Sequence, residues 1–232
     1  MLTRYGAMLF AAGFAFLLFV LFTSQPLGAP TMLAGQAVLD EAAGTVGAAN
    51  IVTAVVLAYR GIDTLGELSI LFAAATAVGL VLGRARGADT AATVREPGGF
   101  ILRAGADLLF PLLLVVGFYI IVHGHLTPGG GFQGGVVLAA AFILPVLARP
   151  SETISHTAMA WVEGLAGAVF IVTGLAALAV DHAFLTPLLG TGQLGTLLSA
   201  GTLPLLYLAV GLKVGAELAN LLLRMSEEES TA

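Results

Sequence analysis

The stretch that decides the fold of this chain is His123-Gly-His-Leu-Thr-Pro-Gly-Gly-Gly-Phe-Gln-Gly-Gly135, which lies between two long apolar segments. Clusters of glycine and proline break helices. Backbone at membrane depth must still satisfy its own hydrogen bonds, so irregular structure is tolerated there only when it is buried in protein or lines a wet cavity. The stretch is therefore predicted to link two membrane spans at or near the membrane surface.

The composition of the whole chain places it in a bilayer. Hydrophobic residues make up 58% of the 232 positions and charged residues only 10%, against roughly one quarter in soluble domains. The absence of cysteine excludes disulfides, thiolate chemistry and cysteine-ligated metals. The four histidines lack the close spacing of a metal site. We expect no metal, no cofactor, no enzymatic activity and no nucleic-acid partner.

Six stretches are long and apolar enough to span about 30 Å of hydrocarbon. They lie near 4–24, 62–84, 101–123, 132–148, 157–180 and 200–224. The segment 46–59 is too short to span, and we expect a short helix that lies in the interface or packs against a neighbour. The fold class predicted is therefore all-α, a polytopic membrane protein with six transmembrane helices and one short interfacial helix.

The basic residues predict the orientation of these spans. If the six spans alternate, one side of the membrane receives Arg4, Arg84, Arg86, Arg95, Arg103, Arg149 and Arg224. The other side receives Arg60 alone, and Lys213 lies within a span. By the positive-inside rule both termini and the loop 85–100 are cytoplasmic. The first apolar run is nearly 20 residues long and has no clear cleavage site directly after it, so we expect a retained span rather than a signal peptide.

The residues from about 100 to 224 resemble a known membrane subunit. The pattern Gly124-His125-Leu-Thr-Pro128-Gly-Gly-Gly131-Phe-Gln-Gly-Gly135, preceded by an Arg-led apolar helix, closely resembles the B subunit of Mrp-type multisubunit sodium/proton antiporters. The resemblance implies an accessory membrane subunit that helps to form the ion-translocation path and the subunit interfaces. It also implies a location in the inner (plasma) membrane of a prokaryotic cell. The expected partners are other membrane subunits, the lipid bilayer, and sodium ions or protons.

A second and shorter resemblance covers residues from about 45 to 90. Asn50-Ile-Val-Thr53, followed by Arg60-Gly-x-Asp63-Thr-Leu-Gly-Glu67, is similar to the C-terminal part of the Mrp A subunit and to the small E subunit of membrane-bound hydrogenases. We expect a fusion of two modules, with two spans in residues 1–95 and four in residues 96–232. The alternative function is the equivalent subunit of a membrane-bound hydrogenase or related respiratory complex.

Asp63 and Glu67 are candidates for an ion or proton route at the outer end of the second span. They form a like-charge pair at i, i+4, which is mildly unfavourable unless a cation intervenes. The run Thr64-Leu-Gly-Glu67 also has the form of a capping box, with Thr64 as N-cap. Both interpretations stay open, and Glu67 is the better route candidate because it lies deeper in the span.

His123 and His125 lie where the third span emerges from the membrane. Histidine titrates near neutral pH, so the pair could pass protons between water and an interior acid. Alternatively, each imidazole caps carbonyl groups at the helix C-terminus.

The glycines of the link are predicted to serve helix packing. Pro128, Gly129, Gly130, Gly131, Gly134 and Gly135 form this packing motif. Glycine removes side chains where backbones approach closely, and Gly131 and Gly135 have the small-xxx-small spacing of packed membrane helices. No Lys-Ser/Thr follows, which argues against a phosphate-binding loop.

Three charged residues fall inside the last two spans. Lys213 lies near the middle of the sixth span, Glu217 follows one turn later, and Glu163 lies near the inner end of the fifth. An ion facing lipid costs at least about 2.5–3.5 kcal/mol, so these side chains must face protein, water or a partner charge. A structural ion pair and a proton relay both fit. Asp107, one turn beyond Arg103, is interpreted as an interfacial anchor.

The chain does not resemble a self-contained transporter. Its six predicted spans show no inverted repeat of the kind that builds one. An accessory subunit of an antiporter, the matching subunit of a respiratory complex, and a purely structural linker therefore remain as the three functional hypotheses.

Overall fold

A computed structural model of the chain describes residues 2–24, 33–85, 97–149, 154–180 and 182–229. Within these ranges the chain is helical and has no strand, which confirms the all-α prediction. The elements are α1 (Leu2–Ser24), α2 (Leu33–Thr45), α3 (Ile51–Thr53), a π helix (Ala54–Tyr59), α4 (Gly61–Ala85), α5 (Phe100–Val122), α6 (Gly131–Ala148), α7 (His156–Ala179) and α8 (Leu203–Glu229).

In the described ranges six helices, namely α1 and α4 to α8, are long and apolar enough to cross a membrane. Their bounds agree with the predicted spans to within a few residues. The shortest is α6, which reaches 18 residues because it already begins at Gly131, so the glycines that follow are helical. The prediction of six spans and a multi-pass membrane protein is confirmed.

The segment between the first two spans holds more helix than predicted. Helix α2 forms over Leu33–Thr45, between the first two predicted spans, where the sequence analysis predicts helix only in the short segment 46–59. With 13 residues this helix is too short to span a membrane, and Asp40 and Glu41 make it polar. A search for long apolar stretches therefore does not find it. Alanine, leucine and glutamate favour helix locally, and Ala42 is fully buried, which anchors the helix by tertiary packing.

The short helical segment after Asn50 packs inside the protein. Asn50 is its N-cap, because the side-chain oxygen accepts a hydrogen bond from the Val52 amide at 3.1 Å. Thr53, Ala54 and Leu57 are buried. Of the two positions predicted for this segment, the structure has the one packed against neighbouring helices.

The chain divides into two compact units, Met1–Val38 and Leu39–Ala232. In the first unit, every α1 side chain that the structure describes is exposed. In the second unit α8 is the central helix, and α4, α5, α6, α7 and the π helix all pack against it. Accordingly, 61% of the most apolar window of α8 is buried, against 6% in α4. The charged residues of α8 are therefore held inside protein.

Some predicted features lie outside the described residues. These are Arg86, Arg95 and the proposed module boundary between residues 95 and 96.

Candidate functional site

The link between α5 and α6 covers residues 123–130 and is built from turns. Gly129 and Gly130 have φ angles of 154° and 150°, a backbone conformation that side chains rarely adopt. At Gly130 a Cβ atom would also lie 2.7 Å from the ring of Tyr207 on α8. The link can therefore lie flat against the central helix only because these positions carry no side chain.

The glycines that begin α6 let it approach two neighbours at once. A Cβ at Gly134 would lie 2.7 Å from the Gly117 carbonyl oxygen on α5. On the α8 side, a Cβ at Gly135 would lie 2.8 Å from the Gly211 carbonyl oxygen, and one at Gly131 would lie 2.9 Å from that of Tyr207. These are backbone atoms that cannot move aside. Gly131 and Gly135 thus face α8, while Gly134 faces α5.

A cluster of neutral hydrogen bonds, here named the link clamp, joins the link to α3 and α8. It consists of Asn50, Thr53, Tyr207 and the backbone of Gly124 and its neighbours. The Asn50 amide nitrogen donates to the carbonyl oxygens of Gly124 at 2.8 Å and Thr127 at 3.0 Å. Thr53 Oγ1 donates to the Gly124 oxygen at 2.7 Å and accepts from the Tyr207 hydroxyl at 2.6 Å. The clamp satisfies link carbonyls that no helix could satisfy.

The two histidines of the link occupy different environments. His123 is half-buried, its Nδ1 lies 3.1 Å from the Tyr119 carbonyl oxygen at the end of α5, and its ring stacks on Tyr119. His125 is fully buried and its Nε2 lies 3.3 Å from the Thr196 carbonyl oxygen. Burial lowers the pKa of His125 below its ordinary value, against the opposing hydrogen bond to Thr196. Burial therefore favours the uncharged form of the His125 ring.

The start of α4 differs from the predicted capping box. The helix already begins at Gly61, so Thr64 lies inside its first turn and is not the N-cap. The Thr64 hydroxyl instead donates to the Val56 carbonyl oxygen of the π helix at 2.7 Å. The capping interpretation of Thr64 and Glu67 is therefore wrong. A π helix leaves carbonyl groups out of register with the following turn, which gives the threonine a partner.

Asp63 and Glu67 face different surroundings. Asp63 forms an ion pair with Arg60 at 2.5 Å, and both side chains are exposed. Glu67 is exposed and lines a cavity of about 370 Å³, here named the Glu67 cavity. Its wall also includes Thr64, Gly129, Gly131, Gln133 and Tyr207. The fold thus brings the acidic turn of the second resemblance beside the glycine link of the first, a proximity that sequence spacing does not reveal.

Three charged residues form a second cluster, here named the charge triad: Glu163, Lys213 and Glu217. Lys213 Nζ lies 2.8 Å from Glu217 Oε2 and 3.6 Å from Glu163 Oε1. The exposed fractions of the three side chains are 10% for Lys213, 16% for Glu163 and 2% for Glu217. The Lys213 ammonium also lies 5.5 Å from the centroid of the Phe72 ring, within reach of a cation–π contact. The triad therefore joins α4, α7 and α8.

Two further polar pairs hold helices together away from these clusters. Asp107 on α5 forms an ion pair with Arg149, the residue that follows α6, at 2.5 Å. This pair fits the predicted role of Asp107 as an anchor. His156 Nδ1 on α7 lies 2.5 Å from Asn220 Oδ1 on α8.

Sequence reasoning missed several members of these clusters. Tyr207 was overlooked because a tyrosine in a span resembles an ordinary apolar residue. Asn50 enters the sequence analysis only as part of the second resemblance, which does not say what its side-chain amide binds, although an amide with so many donors and acceptors usually finds partners when buried. The proximity of Glu163 to Lys213 depends on how α7 packs on α8. No signal in one sequence could give it.

Comparison with protein families gives a match for each of the two parts of the chain. A family model described as a domain related to the MnhB subunit of Na+/H+ antiporter matches residues 101–220. A second model, described as the E subunit of MBH, the membrane-bound hydrogenase, matches residues 4–97. The chain therefore belongs to the family of antiporter-type membrane subunits that carry the MnhB-related domain. Both resemblances are confirmed, and the second extends well beyond residues 45–90.

Individual relatives agree with this assignment. The B subunit of the Na(+)/H(+) antiporter of Bacillus subtilis is 28% identical over 44% of this chain and 79% of its own length. A chain in the structure of the membrane-bound sulfane sulfur reductase, an archaeal respiratory membrane complex, is 39% identical with a TM-score of 0.84. That match covers 97% of this chain and 98% of the other. A chain of the Mrp complex from a Dietzia species is 27% identical with a TM-score of 0.74, covering 95% of this chain but 26% of that one.

Proposed function

We propose that this chain is an accessory membrane subunit of a multisubunit cation/proton antiporter complex. In this role it forms part of the ion route and of the subunit interfaces. The observation that carries the proposal is the Glu67 cavity, where a carboxylate lies beside the glycine link of the antiporter-B-like region. A carboxylate within a membrane span is a functional group by default, because it has a high cost unless it binds a proton, a cation or a partner.

The two modules of the proposal are residues 1–95 and 96–232. The link clamp supports their acting together, since Asn50 and Thr53 of the first module bind Gly124, Thr127 and Tyr207 of the second. A shift of one module would break hydrogen bonds to buried carbonyl groups. The clamped segments therefore offer one rigid surface to neighbouring subunits in the bilayer.

We also propose that the candidate residues form a route along α8. The Glu67 cavity reaches Tyr207 and Val210, and Lys213 begins the charge triad one turn later. At 1.5 Å per residue, Val210 and Lys213 are about 4.5 Å apart along the helix axis. His123, half-buried in the link, stands at the surface end of this path, whereas Asp63 is engaged by Arg60. In this arrangement both termini are cytoplasmic, as the arginines favour.

The decisive experiment replaces Glu67 by glutamine in the complex and measures cation/proton exchange in membrane vesicles. Glutamine keeps the shape of the side chain and removes both the charge and the proton site. We expect assembly at the normal level with most exchange activity lost. The matched control is Asp63→Asn, which neutralises a carboxylate one turn away that does not line the cavity. Normal exchange in both variants would favour the structural-linker hypothesis.

A second candidate function has a specific observation in its favour. The chain matches a chain of the sulfane sulfur reductase complex almost end to end, but covers only 26% of the matching Mrp chain. This favours the equivalent subunit of a hydrogenase-like or sulfur-reducing respiratory complex, where the same membrane region accompanies redox subunits. Affinity purification through a tag on this chain separates the two. Co-purified iron–sulfur subunits would support the respiratory complex, and their absence the antiporter.

A further inference from the structure

The chain between α7 and α8 forms no helix over residues 182–202, and this segment is here named the lid loop. It packs against glycines of two other segments. At Gly61, where α4 begins, a Cβ atom would lie 2.8 Å from Leu185 of the loop, whose side chain is fully buried. At Gly47, between α2 and α3, a Cβ would lie 2.8 Å from the Thr191 carbonyl oxygen. Glycine at both positions lets the loop lie in direct contact with the rest of the protein.

His125 of the α5–α6 link lies beneath this loop. Its ring is fully buried, and its Nε2 lies 3.3 Å from the Thr196 carbonyl oxygen of the lid loop. A carbonyl oxygen only accepts hydrogen bonds, so we assign the hydrogen of the neutral ring to Nε2. Nδ1 is then an acceptor, and it is buried with no hydrogen-bond partner among the residues that the structure describes. A second proton on the ring would therefore be placed at a buried atom that nothing in the described chain binds.

Two hydroxyl groups at the end of the lid loop are in the same condition. Ser199 and Thr202 are buried, and neither Ser199 Oγ nor Thr202 Oγ1 has a hydrogen-bond partner in the described part of the chain. Ser199 is a neighbour of His125, because its backbone N–H donates at 3.0 Å to the same Thr196 carbonyl oxygen that His125 contacts. Buried polar groups without partners cost free energy in the closed loop, and water would satisfy them if the loop opened.

The backbone is strained near both ends of the loop. Leu185 and Ala200 have φ angles of 66° and 65°, in the left-handed region that residues other than glycine rarely adopt. Such residues persist only where their surroundings fix them, and they occur preferentially in switch regions. Burial against Gly61 fixes Leu185, and Ala200 is fixed by its N–H, which donates to the Thr191 carbonyl oxygen at 2.8 Å. Opening of the loop would release the strain at both residues.

We propose that the lid loop is a pH-sensitive lid, closed over a neutral His125 and opened to water when His125 takes up a proton. In the closed loop that proton would put a positive charge in a buried site, which is costly without a partner. Opening lets water reach Nδ1 and the two hydroxyl groups, and it relaxes the strained backbone. Protonation thus adds to terms that already favour the open state. The lid controls the access of water to His125, whichever complex the chain belongs to.

The described groups that face His125 offer no compensating negative charge. Residues 183–202 of the lid loop include no charged residue and no further histidine. On the link itself, the charge of His123 opposes protonation of His125. On α8, Tyr207 packs against the glycine that precedes His125, and its hydroxyl already donates to a threonine. Asn50, which precedes α3, contacts His125 through a neutral backbone N–H.

The test uses the absence of cysteine from the chain, since one introduced thiol then reports access from water at one position. Ser199→Cys places the thiol at a buried position of the lid loop, and Gln193→Cys places the control at an exposed position of the same loop. The purified complex is labelled with a hydrophilic maleimide between pH 7.5 and 5.5, and labelling of this chain is read by mass spectrometry. The ratio of the two rates removes the effect of pH on the thiol itself. We expect this ratio to rise about tenfold on acidification, as for an opening equilibrium linked to one proton.

Two further variants, each combined with Ser199→Cys, assign the effect. His125→Gln keeps a donor for the Thr196 carbonyl oxygen and does not titrate, so the labelling ratio should stay at its pH 7.5 value. Ala200→Gly relaxes the backbone of the closed loop, because glycine adopts positive φ readily. Its ratio should fall about threefold at every pH and keep its dependence on acid.

A labelling ratio that does not change with pH would overturn the proposal, as would a rise that persists in His125→Gln. Hydrogen exchange of the Ala200 amide in the unaltered complex provides a measurement that needs no variant. This amide is bonded to the Thr191 carbonyl oxygen only while the loop is closed. After correction for the intrinsic exchange rate at each pH, its protection should fall about tenfold between pH 7.5 and 5.5. Constant protection would show that the loop is a static part of the fold.

Discussion

The link clamp and the charge triad are both buried polar clusters on α8, but they are built differently. The clamp uses neutral groups, and each of its hydroxyl and amide groups has at least one partner, as in the 2.6 Å bond from Tyr207 to Thr53. The triad uses three ions, which carry one uncompensated negative charge and leave Glu217 Oε1 without a partner in the described residues. On α8 the nearest members of the two clusters, Tyr207 and Lys213, are six residues or less than two turns apart.

The difference indicates that the clamp fixes the conformation of the protein and that the triad has another role. A satisfied neutral network fixes a conformation at little electrostatic cost, which suits a joint between two modules. An unbalanced ionic cluster is weak as a stabilising device, because desolvation offsets its attraction. Its presence in the most buried span is easier to understand if the triad belongs to the ion route proposed above. Variants of each cluster test this difference.

The largest effect is expected from Lys213→Met. Removing the ammonium leaves two carboxylates buried together, and breaking such a cluster typically destabilises by about 3–5 kcal/mol. The double variant with Glu217→Gln should regain most of this loss, because only Glu163 remains charged. The free energy of unfolding of the full chain in detergent micelles at pH 8, in choline chloride, measures both. Equal stability of the wild type and the single variant would show that the triad charges are not coupled.

The sequence predicts the spans well and the two clusters poorly, for a physical reason. Apolar length and glycine content are local properties, so the six spans and the helical start of α6 at Gly131 follow from the residues themselves. The Lys213–Glu217 pair is also local, since it spans one turn. Which helices meet is not local. The approach of Glu163 to Lys213, and of Glu67 to the glycine link, depends on packing between distant segments.

An intermediate effect on the free energy of unfolding is expected from a change of pH, through His125, which contacts the link clamp. Asn50 donates its backbone N–H to the His125 carbonyl oxygen at 3.0 Å. Because burial lowers the pKa of His125 below 6.5 in the folded state, the unfolded chain takes up its proton first as the pH falls. The contribution of His125 to the free energy of unfolding is therefore fully present well above pH 6.5. It is lost as the pH falls through and below that value, by at most about 1.4 kcal/mol per pH unit.

The histidine contribution is isolated by comparing variants between pH 7.5 and 5. His125→Gln keeps a donor that can reach the Thr196 carbonyl oxygen but does not titrate, so its unfolding free energy should fall less steeply with acid than that of the wild type. The control is His123→Gln, at the half-buried histidine whose charge acts on His125. Its unfolding free energy should keep most of the wild-type dependence on pH. A steeper fall in His125→Gln would contradict the assignment.

The smallest effect is expected from Tyr207→Phe, which deletes one neutral hydrogen bond. Thr53 still donates to the Gly124 carbonyl oxygen, so the loss should be about 1 kcal/mol, the typical net value of one such bond. Tyr119→Phe makes the same chemical change at a residue that is 54% exposed and should change stability little. A double-mutant cycle with Thr53→Val should show coupling of similar size, because the two hydroxyls bind each other. If the clamp only holds the modules together, exchange by assembled complexes should be unchanged in Tyr207→Phe. Loss of exchange at unchanged stability would show that the Tyr207 hydroxyl takes part in ion transfer, and it would remove the distinction between the two clusters.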